Sequence, residues 1–139
     1  MERQDLVRWF ADYERSWEEL DTELLVSLFT ADASYYPTPF WIPFKGSVDL
    51  RKLWDNLKRH QSENHIDLVP LSLDGDKAVV RWQGYSTPIG GARKRLGDGI
   101  FLLTFDQTRR CCELLEWQHW HSDDEAKPRY KEKDPVRTS

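Results

Sequence analysis

The chain has 139 residues, 32% of them charged and 39% apolar, with a formal net charge of -4. That length suits a single cooperative core, and the apolar share is too large for a disordered chain. Twenty Lys and Arg lie scattered among twenty-four acids and no apolar run approaches the roughly 20 residues of a membrane span, so neither a nucleic-acid nor a membrane partner is expected.

Leu6, Trp9, Phe10, Tyr13, Trp17 and Leu20 recur at intervals of three and four, which predicts an amphipathic helix over residues 3 to 20. Asp21 is placed to cap a second helix, whose apolar face is Leu24, Leu25, Leu28 and Phe29. Residues 33 to 36 read as extended. Pro37, Pro39 and Pro43 then forbid a helix or central strand, which makes 37 to 46 a loop carrying Phe40, Trp41 and Phe44. Ser47 caps a third helix in this reading, with Leu50, Leu53, Trp54 and Leu57 as its buried stripe.

From residue 65 the period turns toward alternation, and strands are expected at about 65 to 73, 77 to 86, 96 to 105 and 112 to 121. Asp74-Gly75, Gly90-Gly91 and Asp106 to Arg109 supply the turns, giving an antiparallel meander after three helices. Arg93, Lys94 and Arg95 read as a solvated hairpin tip. The polar segment 122 to 139 has little to bury and reads as a charged tail beyond a domain of residues 1 to 121.

Helices first and long paired strands afterwards predict an α+β fold, in which twisting strands of about 33 Å curl over the helices and leave a cone-shaped cavity. The runs LVSLFTADASYY, PFKGSVDLRKLW, DKAVVRWQG and CCELLEWQHW, in that order, resemble nuclear transport factor 2-like proteins of the SnoaL-like group over residues 5 to 121. The resemblance implies a curved antiparallel sheet wrapped on three N-terminal helices, the cystatin-like α+β barrel, around one small-molecule pocket. It does not imply one reaction, because the same cone serves isomerases, dehydratases, epoxide hydrolases, cyclases and proteins without catalysis.

Tyr13 stands sixteen residues before Phe29, a spacing similar to that of ketosteroid isomerases, whose helix-one tyrosine donates to the developing enolate. Where those enzymes carry the carboxylate base, this chain has Tyr36 and Pro37, so Tyr13 is a hydrogen-bond donor or simply a core aromatic. Arg81 and Glu116 match two positions of the limonene epoxide hydrolases, but Gln83 stands in place of the proton-donating acid and cannot give up a proton. Strand parity is read as turning Arg81, Gln83, Glu116 and Gln118 inward, with Glu116 a general base oriented by Arg81, or the two a structural ion pair. His65 resembles a pocket histidine of scytalone dehydratase, against the alternative of a strand-entry residue bonded locally near Asn64 and Asp67.

The expected ligand walls are Trp17, Tyr36, Trp41, Trp54, Gln83, Phe101 and Gln118. The ligand class is a small apolar or aromatic molecule, handled by acid/base chemistry with no cofactor, or merely bound. Val80, Trp82, Leu115 and Trp117 would then face outward and form a homodimer interface. The only cysteines, Cys111 and Cys112, are adjacent and build no disulfide framework, and His60, His65, His119 and His121 lack metal-ligand spacing. Reduced thiols, no metal and a cytoplasmic address follow as expectations.

Overall fold

The computed structural model describes residues 1–90 and 93–122. In chain order the elements are α1 (Arg3–Glu18), α2 (Thr22–Ser27), β1 (Phe29–Tyr36), β2 (Phe44–Lys45), α3 (Gly46–His60), β3 (Gln61–Asp74), β4 (Lys77–Pro88), β5 (Arg95–Phe105) and β6 (Cys111–Ser122). The expected tail, Asp123 onward, and Gly91 of the second turn lie outside the described residues.

The six strands form one sheet in the order β2-β1-β6-β5-β4-β3. The meander β3 to β6 is antiparallel as expected, but β1 runs parallel to β6, with Tyr35 opposite Leu114. That pairing joins β1 and β2 to the meander, so one junction of an otherwise antiparallel sheet is parallel. Two boundaries also move. Leu28 ends α2, so Phe29 begins β1 rather than closing a helix, and β3 starts at Gln61, where Gln61 and Ser62 pair with Pro88 and Thr87 of β4. No apolar alternation marks residues 61 to 64, because cross-strand pairing rather than burial extends the strand.

The helices supply the other wall of the core. Leu6, Trp9, Phe10 and Tyr13 are buried on one stripe of α1, and Leu50 and Trp54 on α3. Asp21 caps α2 by accepting from the Leu24 N–H at 3.0 Å, and Asp49 holds the entry to α3 by accepting from the Lys45 N–H at 2.8 Å. Two buried indoles join the layers: Trp9 Nε1 donates to the Leu28 carbonyl at 3.0 Å and Trp54 Nε1 to the Ser16 carbonyl at 2.9 Å. Each adds a second donor to a carbonyl near a helix C-terminus that already accepts from a backbone N–H, that of Cys111 or of Asp21.

Inside the curved sheet, register places side chains in transverse rows. Val80, Phe101 and Glu116 form one row, Trp82, Gly99 and Gln118 the next, Gly84, Gly97 and Trp120 the third, and Ser86, Arg95 and Ser122 the last. The glycines explain how two indoles fit. A Cβ on Gly97 would lie 2.7 Å from Trp82 and 2.9 Å from Trp120, and one on Gly99 would lie 2.6 Å from Trp82 Nε1. Trp82 therefore lies across β5 as a flat floor, which any larger residue at 97 or 99 would lift.

Candidate functional site

The cone encloses a cavity of about 430 Å³, within the roughly 300–1,000 Å³ of small-molecule sites. Its walls come from all three layers. Tyr13 and Trp17 of α1, Leu53, Trp54 and Leu57 of α3, Tyr35 of β1, Trp82 of β4, Phe101 of β5 and Glu116, Gln118 and Trp120 of β6 all line it. The rings pack edge to face, as with Tyr13 against Trp54 at 6.0 Å and against Phe101 at 5.5 Å.

Three oxygen-bearing side chains meet at the closed end. The Tyr13 and Tyr35 hydroxyls are 3.0 Å apart and both residues are buried. One hydroxyl donates to the other, which leaves the second proton free to be donated elsewhere. Glu116 lies close enough that a charge on it would oppose ionising either phenol, and burial already holds both hydroxyls well above the ordinary phenol range. Burial also pushes the Glu116 carboxyl well above the usual carboxylate range. The Trp82 indole N–H faces that carboxyl and tempers the rise, but it falls short of hydrogen-bond geometry and is a buried donor without a partner. No basic side chain among the described residues forms an ion pair with Glu116.

Arg81 is elsewhere. It lies on the outer face of the sheet, where its guanidinium binds Asp98 in a fork, Nε to Oδ1 at 3.1 Å and Nη2 to Oδ2 at 2.7 Å. Gln83 joins them, Nε2 to Asp98 Oδ2 at 3.2 Å. The inward placement of Arg81 and Gln83 is therefore corrected, and with it the pairing of Arg81 with Glu116. Opposite Arg81 in the register stand Ile100 and Trp117, whereas Glu116 stands in the row of Val80. The apolar residues at 78, 80 and 82 turn β4 so that its arginine faces out.

Of the other expected site residues, Tyr13, His65, Trp17, Trp54, Phe101, Gln118 and Glu116 all line the cavity. His65 is tied at both ring nitrogens, to Glu18 at 2.5 Å and to Asp67 at 2.9 Å, and it stacks on Tyr85. This is the locally bonded alternative. Tyr36 is not among the lining residues and points the other way from Tyr35, since neighbours on a strand alternate. Trp41 sits in the β1–β2 loop and is 65% exposed. Tyr35, Trp82 and Arg95 are lining residues outside that expected set, although Ala33 and Tyr35 share the parity of the buried side of β1. Gln118 is itself held in place: its Nε2 donates to the Pro37 carbonyl at 2.6 Å and its Oε1 accepts from Trp120 Nε1 at 2.6 Å. Among the described residues no cluster of three or more His, Cys, Asp or Glu is arranged to hold a metal ion, and no helix is long and apolar enough to cross a membrane.

Comparison with solved structures finds the same fold in other proteins. The epoxide hydrolase/cyclase-like enzyme SalBIII, of pyran ring formation in the polyether salinomycin, is 19% identical, with 85% of this chain and 93% of that one covered and a TM-score of 0.72. A type 2 hexachlorocyclohexane dehydrochlorinase, LinA, is 14% identical over 91% and 93% of the two chains at 0.72. A hypothetical protein with a ketosteroid isomerase-like fold from Catenulispora acidiphila, solved in complex with trimethylamine, is 13% identical over 78% and 83% at 0.70. At these identities the likeness is one of fold. Among curated proteins no sequence match is found. The family model of the SnoaL-like domain matches residues 7–113, well over half of the sequence, and with this fold around it the chain belongs to the SnoaL-like domain family.

Proposed function

We propose that the chain binds an apolar or aromatic small molecule carrying a carbonyl or epoxide oxygen and acts on it by cofactor-independent acid/base chemistry, with Glu116 as the proton donor. The observation that carries this reading is Glu116 itself, a buried carboxyl without a cationic partner among the described residues, facing the cavity beside two linked phenols. Burial favours the neutral form of this carboxyl, which suits it to serve as an acid first and a base second. This replaces the base role expected from pairing with Arg81.

In the first step the ligand oxygen accepts hydrogen bonds from the Glu116 carboxyl and from the free tyrosine hydroxyl as negative charge develops on it. Donors already fixed in a dry cavity stabilise such charge without reorganising. Glu116 passes its proton to that oxygen as the C–O bond of an epoxide breaks, or as a carbonyl becomes its protonated, oxocarbenium form with the α-carbon proton still in place. The resulting carboxylate then takes a proton from the incoming hydroxyl or from the carbon next to the former carbonyl, and its starting state is restored.

A panel of apolar ketones and epoxides in deuterated water, followed by mass spectrometry, tests the reading. The native protein is expected to incorporate deuterium beside the carbonyl or to open the epoxide, and Glu116→Gln to lose this while still binding. Binding by the native protein with no turnover of any member would sink the enzyme reading in favour of a non-catalytic ligand-binding module. One observation favours that second reading: Glu116 is the single carboxylate among the described lining residues.

Under the same reading the protein is a homodimer joined through the outer face of the sheet. Leu115 and Trp117 support this, with Trp117 46% exposed, whereas Val80 and Trp82, first assigned to that face, are buried on the inner side. Light scattering at micromolar concentration that returned the monomer mass would end it. Two free cysteines, Cys111 and Cys112, support a cytoplasmic address.

A further inference from the structure

The open end of the cone differs chemically from the closed end. Here the inner-face row of β5 that begins with Phe101 and passes Gly99 and Gly97 ends at Arg95, which lines the cavity. The Arg95 guanidinium lies over the Trp120 ring at 5.4 Å, and next to it Lys94 Nζ lies over the Tyr85 ring at 4.4 Å. Both rings are cavity walls. His60 stands at the same rim with its Nδ1 bonded to the Asn56 carbonyl at 2.8 Å, so Nε2 is its free nitrogen. Arg8, Arg15, Arg51, Arg81 and Arg109 each meet a carboxylate, whereas among the described residues Arg95 meets an indole face instead.

We infer that the ligand is an amphipathic acid: an apolar, aromatic-sized body whose oxygen function reaches Glu116 and whose anionic group, a carboxylate, sits at the mouth on Arg95. The inference rests on the proposed function above and adds the second end of the molecule. Arg95 stands in the row of Ser122 and Glu116 in the row of Phe101, three rows and six residues apart along β6, or about 20 Å of strand. The arginine side chain reaches back over Trp120 and shortens that span to the length of two joined aromatic rings with a substituent at each end. A guanidinium braced on an indole keeps its five donors in one plane, which matches a carboxylate fork better than a flexible ammonium does. The basic triplet 93 to 95, read from sequence as a solvated hairpin tip, thus contributes its last member to the cavity wall.

The test uses two probes, a biphenyl carboxylate bearing a para-acetyl group on its far ring and the methyl ester of the same compound. Binding is read by tryptophan fluorescence and by calorimetry. The native protein is expected to bind the acid about tenfold tighter than the ester, as suits one charge-assisted contact near water. Arg95→Gln, at an exposed position, should bring the two affinities together, and Arg95→Lys should restore part of the gap. Glu116→Gln should weaken both probes and leave the gap in place. Equal affinity for acid and ester in the native protein, or a gap that survives Arg95→Gln, overturns the anionic end alone. Failure of both probes to bind overturns this inference and the oxygen-binding reading together.

Discussion

Two carboxylates occupy opposite faces of the same three strands and meet opposite fates. Asp98 faces outward, a third exposed, with the Arg81 fork and the Gln83 amide holding its oxygens. Glu116 faces inward among aromatic rings, with two phenols and an unpartnered indole N–H for company. The outer carboxylate has its charge compensated, so it serves as a brace. Among the described residues the inner one has no compensating cation, and desolvation drives it toward the neutral acid. One sheet thus holds a structural acid and a chemical acid, separated by strand parity.

The largest effect of these tests is expected at the crowded inner face of β5. Gly99→Ala would put a methyl 2.3 Å from the Trp117 carbonyl and 2.6 Å from Trp82 Nε1, and should cost about 3 kcal/mol by thermal unfolding. Gly97→Ala meets ring atoms that can shift, and should cost less. Equal costs would show that the floor under Trp82 is not what constrains β5.

The pH dependence of stability comes next. The folded pKa of Glu116 lies above its unfolded value, so the unfolded chain releases this proton first as pH rises. Its contribution is fully present below the unfolded value and is lost as pH climbs toward the folded one, with a limiting slope of about 1.4 kcal/mol per pH unit. Urea unfolding from acid to neutral pH should show this decline in the native protein and a flatter profile in Glu116→Gln. Coincident profiles would place Glu116 in water.

Tyr13→Phe and Tyr35→Phe should each cost about 1 to 2 kcal/mol in urea, because each leaves a buried hydroxyl without its partner, while the double variant should cost no more than the worse single one. Additive losses would mean the two hydroxyls do not depend on each other. On the outer face, Arg81→Met should cost about 0.5 to 1 kcal/mol and leave ligand affinity unchanged, since the pair is part exposed and remote from the cavity. A loss of binding in that variant would erase the distinction between the two faces.

Much of this was legible in the residues. The stripe Leu6, Trp9, Phe10 and Tyr13, the cap at Asp21 and the turn at Gly75, which has a φ of 59°, are local and periodic, and each appears as the pattern indicates. Within β4 and β6 alternation also sorted side chains into two faces. What it could not do was say which face of one strand matches which face of the next. In β6 the alternatives were Leu114, Glu116, Gln118 and Trp120 against Leu115, Trp117 and His119, both mixed, so parity could be assigned only through the pairing of Phe101 with Glu116. Arg81 was misplaced for that reason. The glycines at 97 and 99 carried a second clue, since a strand interior gives up side chains only where something large lies across it.

The exposed border of the sheet is where β3 has no neighbouring strand. Two of its amides are nevertheless occupied: the Leu68 N–H donates to Glu14 of α1 at 2.8 Å and the Ile66 N–H to Glu18 at 3.4 Å. Pro70, further along the same strand, has no amide hydrogen to offer. At the far border β2 is only two residues long. Among the described residues, a foreign strand seeking to add itself would meet two occupied amides and one missing one along β3 and only a two-residue strand on the far flank, which discourages edge-to-edge growth.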